Sequence, residues 1–134
     1  MDEGELKMEL VVSDDGSHTI LVPALEEHYH SHKGAIQESK HVFIKTGLES
    51  FPDDASLNIF EMGFGTGLNV LMTALNAKSR RFYYHSIEAF PLEESMISQL
   101  NYADQIGTKD AVLLFDGIHE ASWDTEVPLT DNFV

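Results

Sequence analysis

The sequence predicts an α/β fold: a parallel sheet with crossover helices, preceded by an N-terminal β-hairpin. Three observations carry this. Two β-branched runs, 8–12 and 18–22, flank Asp15-Gly16, a strong short-range hairpin signal. An apolar run at 57–60 passes through Gly63, Gly65 and Gly67 into Leu68, Leu71, Met72 and Leu75, spaced i, i+3, i+4 and i+7 as on one helix face. A second aromatic and β-branched run, 81–90, follows that helix. Strand, turn, helix, strand is the opening of a right-handed parallel unit.

The elements can be justified in order. Between the hairpin and the first parallel strand, Ala35 and Ile36 recur as Val42 and Phe43, two helical turns later. This predicts a helix over 34–48 with Gly47 as its stop and "SFPDDAS" as the next loop. After the second strand, Pro91 suits a first helical turn, and Glu93 and Glu94 complement its positive end. Met96, Ile97 and Leu100 would form the buried face of that helix. Residues 110–123 read equally as a strand at "AVLLF" or as a further helix. The chain then reaches "DNFV" where the pattern calls for a third strand. Two parallel strands and a hairpin bury little, so the sheet reads as truncated, a part of a larger domain. The 134 residues form one expected domain: hairpin and helix over 1–50, and the first half of the sheet over 51–134.

Composition narrows the class. Apolar residues make up 43% of the chain, enough for a core, and cysteine is absent, which excludes disulfides and thiolate metal sites. No apolar stretch approaches the roughly 18 residues of a membrane span, and the acidic N-terminus lacks a secretory core. A soluble, cytoplasmic protein without membrane contact is expected. The net charge of −15 repels polyanions at long range, although Lys33, Lys40 and Lys45 cluster with His28, His30, His32 and His41 over 28–45. Alternate histidines at 28, 30 and 32 could line one side of an extended segment, but no fourth ligand is evident, and no metal is expected.

The glycine cluster points to a ligand. Glycines let the backbone turn tightly from strand to helix and bare its N–H groups. About 20 residues beyond the last of them, at the end of the second strand, Glu88 stands where a ribose-binding acid stands in nucleotide-binding folds. The spacing is G-x-G-x-G rather than the dinucleotide G-x-G-x-x-G, and Glu61 precedes it. An acid beside the loop suits a cationic ligand better than a pyrophosphate. Electrostatics therefore favours S-adenosylmethionine, with its sulfonium and ammonium groups, over NAD.

These residues resemble a known family. "EMGFGTGLN" resembles the cofactor loop of class I methyltransferases, which implies a Rossmann-like fold. "EEHYHSHKGAIQESKHVFIKTGL" and "YYHSIEAFPL" are similar to the tRNA 5-methylaminomethyl-2-thiouridine methyltransferases of the MnmC/MnmD type, from about Leu21 onward. The resemblance implies S-adenosylmethionine-dependent methylation of an aminomethyl nitrogen on a tRNA wobble uridine. It assigns Glu61, Gly63, Phe64, Gly65, Thr66, Gly67 and Asn69 to the cofactor loop and Glu88 to the ribose hydroxyls. It places Tyr29, Ser31, Gly34, Gln37, Glu38 and Ser39 toward the cofactor from the N-terminal side. In some bacteria the family's domain is fused to an FAD-dependent oxidase. The resemblance also implies that residues 110–123 are helical.

Methyl transfer to an amine needs alignment and desolvation more than covalent chemistry, and no residue earns a catalytic assignment from the sequence. Lys33, Lys40 and the neighbouring histidines could dock tRNA phosphates. Tyr83, Tyr84 and Phe82 read as packing residues, and Trp123 carries no functional reading. Two rival readings remain: an incomplete methyltransferase fold serving as a binding module, and an NAD-dependent oxidoreductase. The unpaired edge of a truncated sheet also invites self-association.

Overall fold

The computed structural model describes residues 8–22, 27–28, 34–130 and 132–133. It is a mixed α/β protein with two small sheets. Strands β1 (Glu9–Val12), β2 (His18–Val22) and β3 (Glu27–His28) form an antiparallel sheet in that order. The first two make the predicted hairpin, with Val12 opposite His18 across the turn. Strands β4 (Ser56–Met62) and β5 (Arg81–Ile87) pair in parallel, with Leu57 opposite Phe82 and Glu61 opposite Ser86.

The hairpin turn does more than reverse the chain. Helix α1 (Ala35–Glu38) begins beside it, and its exposed N–H groups are satisfied from the turn. Ser13 Oγ accepts from Ala35, Ser17 Oγ from Ile36 and an Asp15 carboxylate oxygen from Gln37, at 3.2, 3.2 and 3.0 Å. Burial alone would raise the Asp15 pKa, but the bonds from Ser17, Gln37 and Ser13 outweigh it and hold the carboxyl below its usual value. Asn101 ties the same turn to the core, donating to the Gly16 carbonyl and accepting from the His18 N–H, both at 2.8 Å.

Past α1 the chain winds more widely, as a π-helix over Ser39–Gly47, and tightens to a 3-10 turn at Leu48–Ser50. Gly47 keeps right-handed helical angles, so it does not stop the helix as predicted; the chain turns extended at Phe51. Helix α2 (Leu68–Leu75) follows the glycine loop and is buried over Leu68 and Val70–Thr73 between the wide helix and the helix over Lys109–Glu120. The helix predicted after β5 is reduced to α3 (Glu94–Ile97), with Glu93 at its N-cap and Pro91 outside it. Leu100 is buried as expected, while Met96 and Ile97 are half-buried. Helices α4 (Tyr102–Ile106) and α5 (Lys109–Glu120) complete the chain's helical layer. The "AVLLF" segment is therefore helical.

The core lies on one side of the parallel sheet. Leu57, Ile59, Phe82 and Tyr84 pack there, while Phe60, Met62 and Ile87 on the other face are 66%, 80% and 48% exposed. Arg81 turns its N–H to the Ala55 carbonyl and Phe82 turns its own to Asn132. Phe133 thus pairs in parallel on the outer edge of β5, where the sequence calls for a next strand, stacks on Tyr84 and meets Phe82 at a tilt.

Candidate functional site

The glycine loop leaves β4 at Met62 and enters α2 at Leu68. Gly63, Gly65 and Gly67 all adopt positive φ, which L side chains rarely tolerate. Their surroundings differ. A Cβ on Gly63 would meet nothing within 4 Å, so its backbone is open to a ligand. A Cβ on Gly67 would lie 3.0 Å from both His119 Nε2 and Phe64 Cζ, so this glycine is needed for packing.

The structure brings the loop and the acid after β5 together. Glu88 accepts from the Gly65 N–H at 2.8 Å with one oxygen and from the Phe90 N–H at 3.3 Å with the other. The pairing of β4 with β5 accounts for this, because the Gly63 and Phe64 N–H groups continue it onto the Ile87 carbonyl.

Glu61 ends the covered face of β4 and is 6% exposed. One carboxylate oxygen accepts from Ser86 Oγ at 2.8 Å, and the other has no hydrogen-bond partner. Burial pushes the carboxyl above its usual value of 4.5; Ser86, Asn69 and Tyr84 draw it back, and the charge of Glu88 adds to the rise. The Tyr84 hydroxyl faces Glu61 and is pushed far upward by burial, by that charge and by its interaction with the carboxylate. Ser39 Oγ donates to Asn69 Oδ1 at 2.7 Å, which joins the wide helix to the same polar group.

Of the residues assigned from the sequence, Glu61, Asn69 and Ser39 thus converge, as do Gly63, Phe64, Gly65 and Glu88. Thr66 is fully buried. Gly34 and Gln37 do otherwise: a Cβ on Gly34 would meet Asp15 at 2.8 Å, and the Gln37 N–H is bound by the same carboxylate. Glu38 is half-buried on α1. Tyr29, His30, Ser31, His32 and Lys33 lie outside the described residues, as does the His28 side chain. Lys40 and Lys45 are exposed on the wide helix.

Three contributors escaped the sequence reading. Ser86 and Tyr84 reach Glu61, and Ser86 was detectable as a polar residue on the face shared by Phe82 and Tyr84. His119 packs against the loop, and its signal was a polar residue on the stripe of Ala111, Phe115 and Ile118. A cleft of about 800 Å³ opens beside Phe64 and Gly65, walled by Tyr84, Leu92, Phe115 and Trp123. Among the described residues no group of acids and histidines is arranged to hold a metal, and no helix is long and apolar enough to cross a membrane.

No family model matches the chain. Its curated relatives include the tRNA 5-methylaminomethyl-2-thiouridine biosynthesis bifunctional proteins MnmC of Burkholderia mallei and Burkholderia pseudomallei. Each is 37% identical over 89 residues, 61% of this chain and 13% of the relative. A solved structure, MNMC2 from Aquifex aeolicus, is 29% identical with a TM-score of 0.59, over 69% of this chain and 33% of that one. The chain is similar to MnmC-type proteins in sequence and in part to a methyltransferase-like fold in structure, and it spans 13% of the length of the curated relatives it matches.

Proposed function

We propose that this chain forms the cofactor side of an S-adenosylmethionine-dependent methyltransferase of Rossmann-like fold. Its reaction is the methylation of 5-aminomethyl-2-thiouridine at the tRNA wobble position to 5-methylaminomethyl-2-thiouridine. The observation that carries the reading is Glu61, a buried carboxylate with one unpartnered oxygen at the base of a glycine loop. A buried, half-satisfied carboxylate is costly, and a cationic ligand group offsets that cost. Glu88, beside Gly65, would accept from paired ribose hydroxyls, and the open backbone at Gly63 would admit close approach.

When bound, S-adenosylmethionine supplies the electrophilic methyl group. The chain's own residues would position it: Glu61 would attract its cationic end, Glu88 would fix the ribose, and Phe64 with the cleft would exclude water. The proton on the attacking amine has no assigned acceptor among these residues.

Calorimetric titration with S-adenosylmethionine and, separately, NADH tests the cofactor. Binding of the first, lost in Glu61→Gln, is expected; preference for NADH would overturn the reading in favour of an oxidoreductase. Transfer of labelled methyl groups to tRNA carrying 5-aminomethyl-2-thiouridine tests the reaction. Cofactor binding without transfer would favour the second reading, a methyltransferase-fold binding module. The exposed Phe60 and Met62 on the open sheet face support that alternative.

A further inference from the structure

His119 lies near the C-terminal end of α5 and reaches back across the fold to the glycine loop. Its Nε2 sits 2.8 Å from the Thr66 carbonyl oxygen. A carbonyl only accepts, so Nε2 carries the hydrogen and Nδ1 is bare in the neutral ring. The ring meets Phe64 edge-on at 5.6 Å and Phe115 at 4.5 Å, while Trp123 meets Phe64 from a further side at 5.5 Å. The same Nε2 lies 3.0 Å from where a Cβ on Gly67 would stand. One imidazole thus contacts three successive parts of the loop: the Phe64 ring, the Thr66 carbonyl and the bare Cα of Gly67.

We propose that His119 is a positioning residue, whose Nε2–H clamps the loop in its ligand-ready shape. This rests on the cofactor reading above for the ligand, but not for the clamp itself. The carboxylates on the elements around the ring are Asp116 and Glu120 on α5, Asp124 after it, and Glu61 and Glu88 flanking the loop. Of these, Asp116 is the one whose charge acts on the imidazole. Burial disfavours the charged ring and lowers its pKa from 6.5, outweighing the Thr66 bond and Asp116. Protonation at Nδ1 leaves the Nε2–H bond to Thr66 in place and sets a positive charge beside the loop. A cationic ligand would be repelled by the same proton.

The test follows the loop without ligand, then with it. In the ligand-free chain, the Gly65 and Gly67 amide resonances are expected to titrate together with the His119 ring carbons. In His119→Gln, which keeps a donor for Thr66, they should stay near their neutral-pH positions throughout. In His119→Phe, which keeps the ring and lacks the donor, they should shift and exchange faster at every pH. Loop amides that ignore the His119 titration, or that are unchanged in His119→Phe, would overturn the clamp. For S-adenosylmethionine, affinity should fall several-fold between about pH 7.5 and about pH 5.5, within the range where histidine changes charge. Any slope that survives in His119→Gln belongs to Glu61; a slope wholly retained there would overturn the proposal. Loop amides that follow His119 in a chain that binds no S-adenosylmethionine would leave the clamp standing and remove the cofactor reading.

Discussion

Glu61 is where a proposed function and stability oppose each other. Its folded pKa is raised, so above 4.5 the unfolded chain releases a proton that the folded chain still holds. Stability is therefore lost as pH climbs from the unfolded value through the folded one. Glu61→Gln keeps the shape and removes the charge; it is expected to raise stability at neutral pH by about 1 kcal/mol while abolishing cofactor binding. Parallel thermal melts and binding titrations check both halves. The glycines give a paired expectation. Gly67→Ala adds a clash with His119 and Phe64 to left-handed strain and should cost about 2 kcal/mol, whereas Gly63→Ala meets only the strain, about 1 kcal/mol. Gly63→Ala should instead lose most of the ligand affinity, because its Cβ would point into open space beside the loop. Denaturant unfolding beside ligand titration separates the two. Glu61, Gly63 and Glu88 were legible because a short sequence pattern places them. The demand on Gly67 was not, because its cause, His119, bonds to the loop from 53 residues away.

At the scale of elements, local chemistry decided what could be read. Helix α5 was ambiguous from "AVLLF" alone, yet Thr108 Oγ1 accepts from the Ala111 N–H at 3.1 Å, and Ala111, Phe115 and Ile118 then fall on one buried face. Thr108→Ala should cost about 1 kcal/mol, the usual worth of such a cap, and loosen His119 at the far end of the helix. A lowered melting temperature with faster amide exchange over 109–120 is the expected outcome. The wide turns of Ser39–Gly47 left no signature in the sequence, since apolar recurrence every seven residues fits an α-helix as well. The shortening of α3 was likewise hidden: Pro91 permits a first helical turn but does not compel one. Arg80 had no sequence signal either, although its side chain is 1% exposed. It is held by the carbonyls of Phe51, Pro52 and Asn76, which fasten the loop before β4 to the end of α2.

For the molecule as a whole, the hairpin, the parallel pair and the glycine turn were legible because each is specified locally, whereas the docking of the hairpin on α1 and Asn101 depends on contacts distant in sequence. The parallel sheet is also covered unevenly. Helices pack on one face, and Phe133 shields the outer edge of β5. Among the described residues β5 is the only neighbour of β4, whose other edge therefore offers unpaired N–H and C=O groups. Phe60 and Met62 are exposed on the open face of that same strand. An unpaired edge joined to exposed apolar side chains is a template for association. The 134-residue chain is accordingly expected to self-associate as its concentration rises. Sedimentation velocity over a concentration series should show a rising weight-average mass. Phe60→Lys combined with Met62→Lys should return the chain to a monomer without loss of the α-helical circular dichroism signal. A wild-type chain that stays monomeric throughout, with a sharp cooperative melt, would show that β4 is protected in solution and would contradict this expectation.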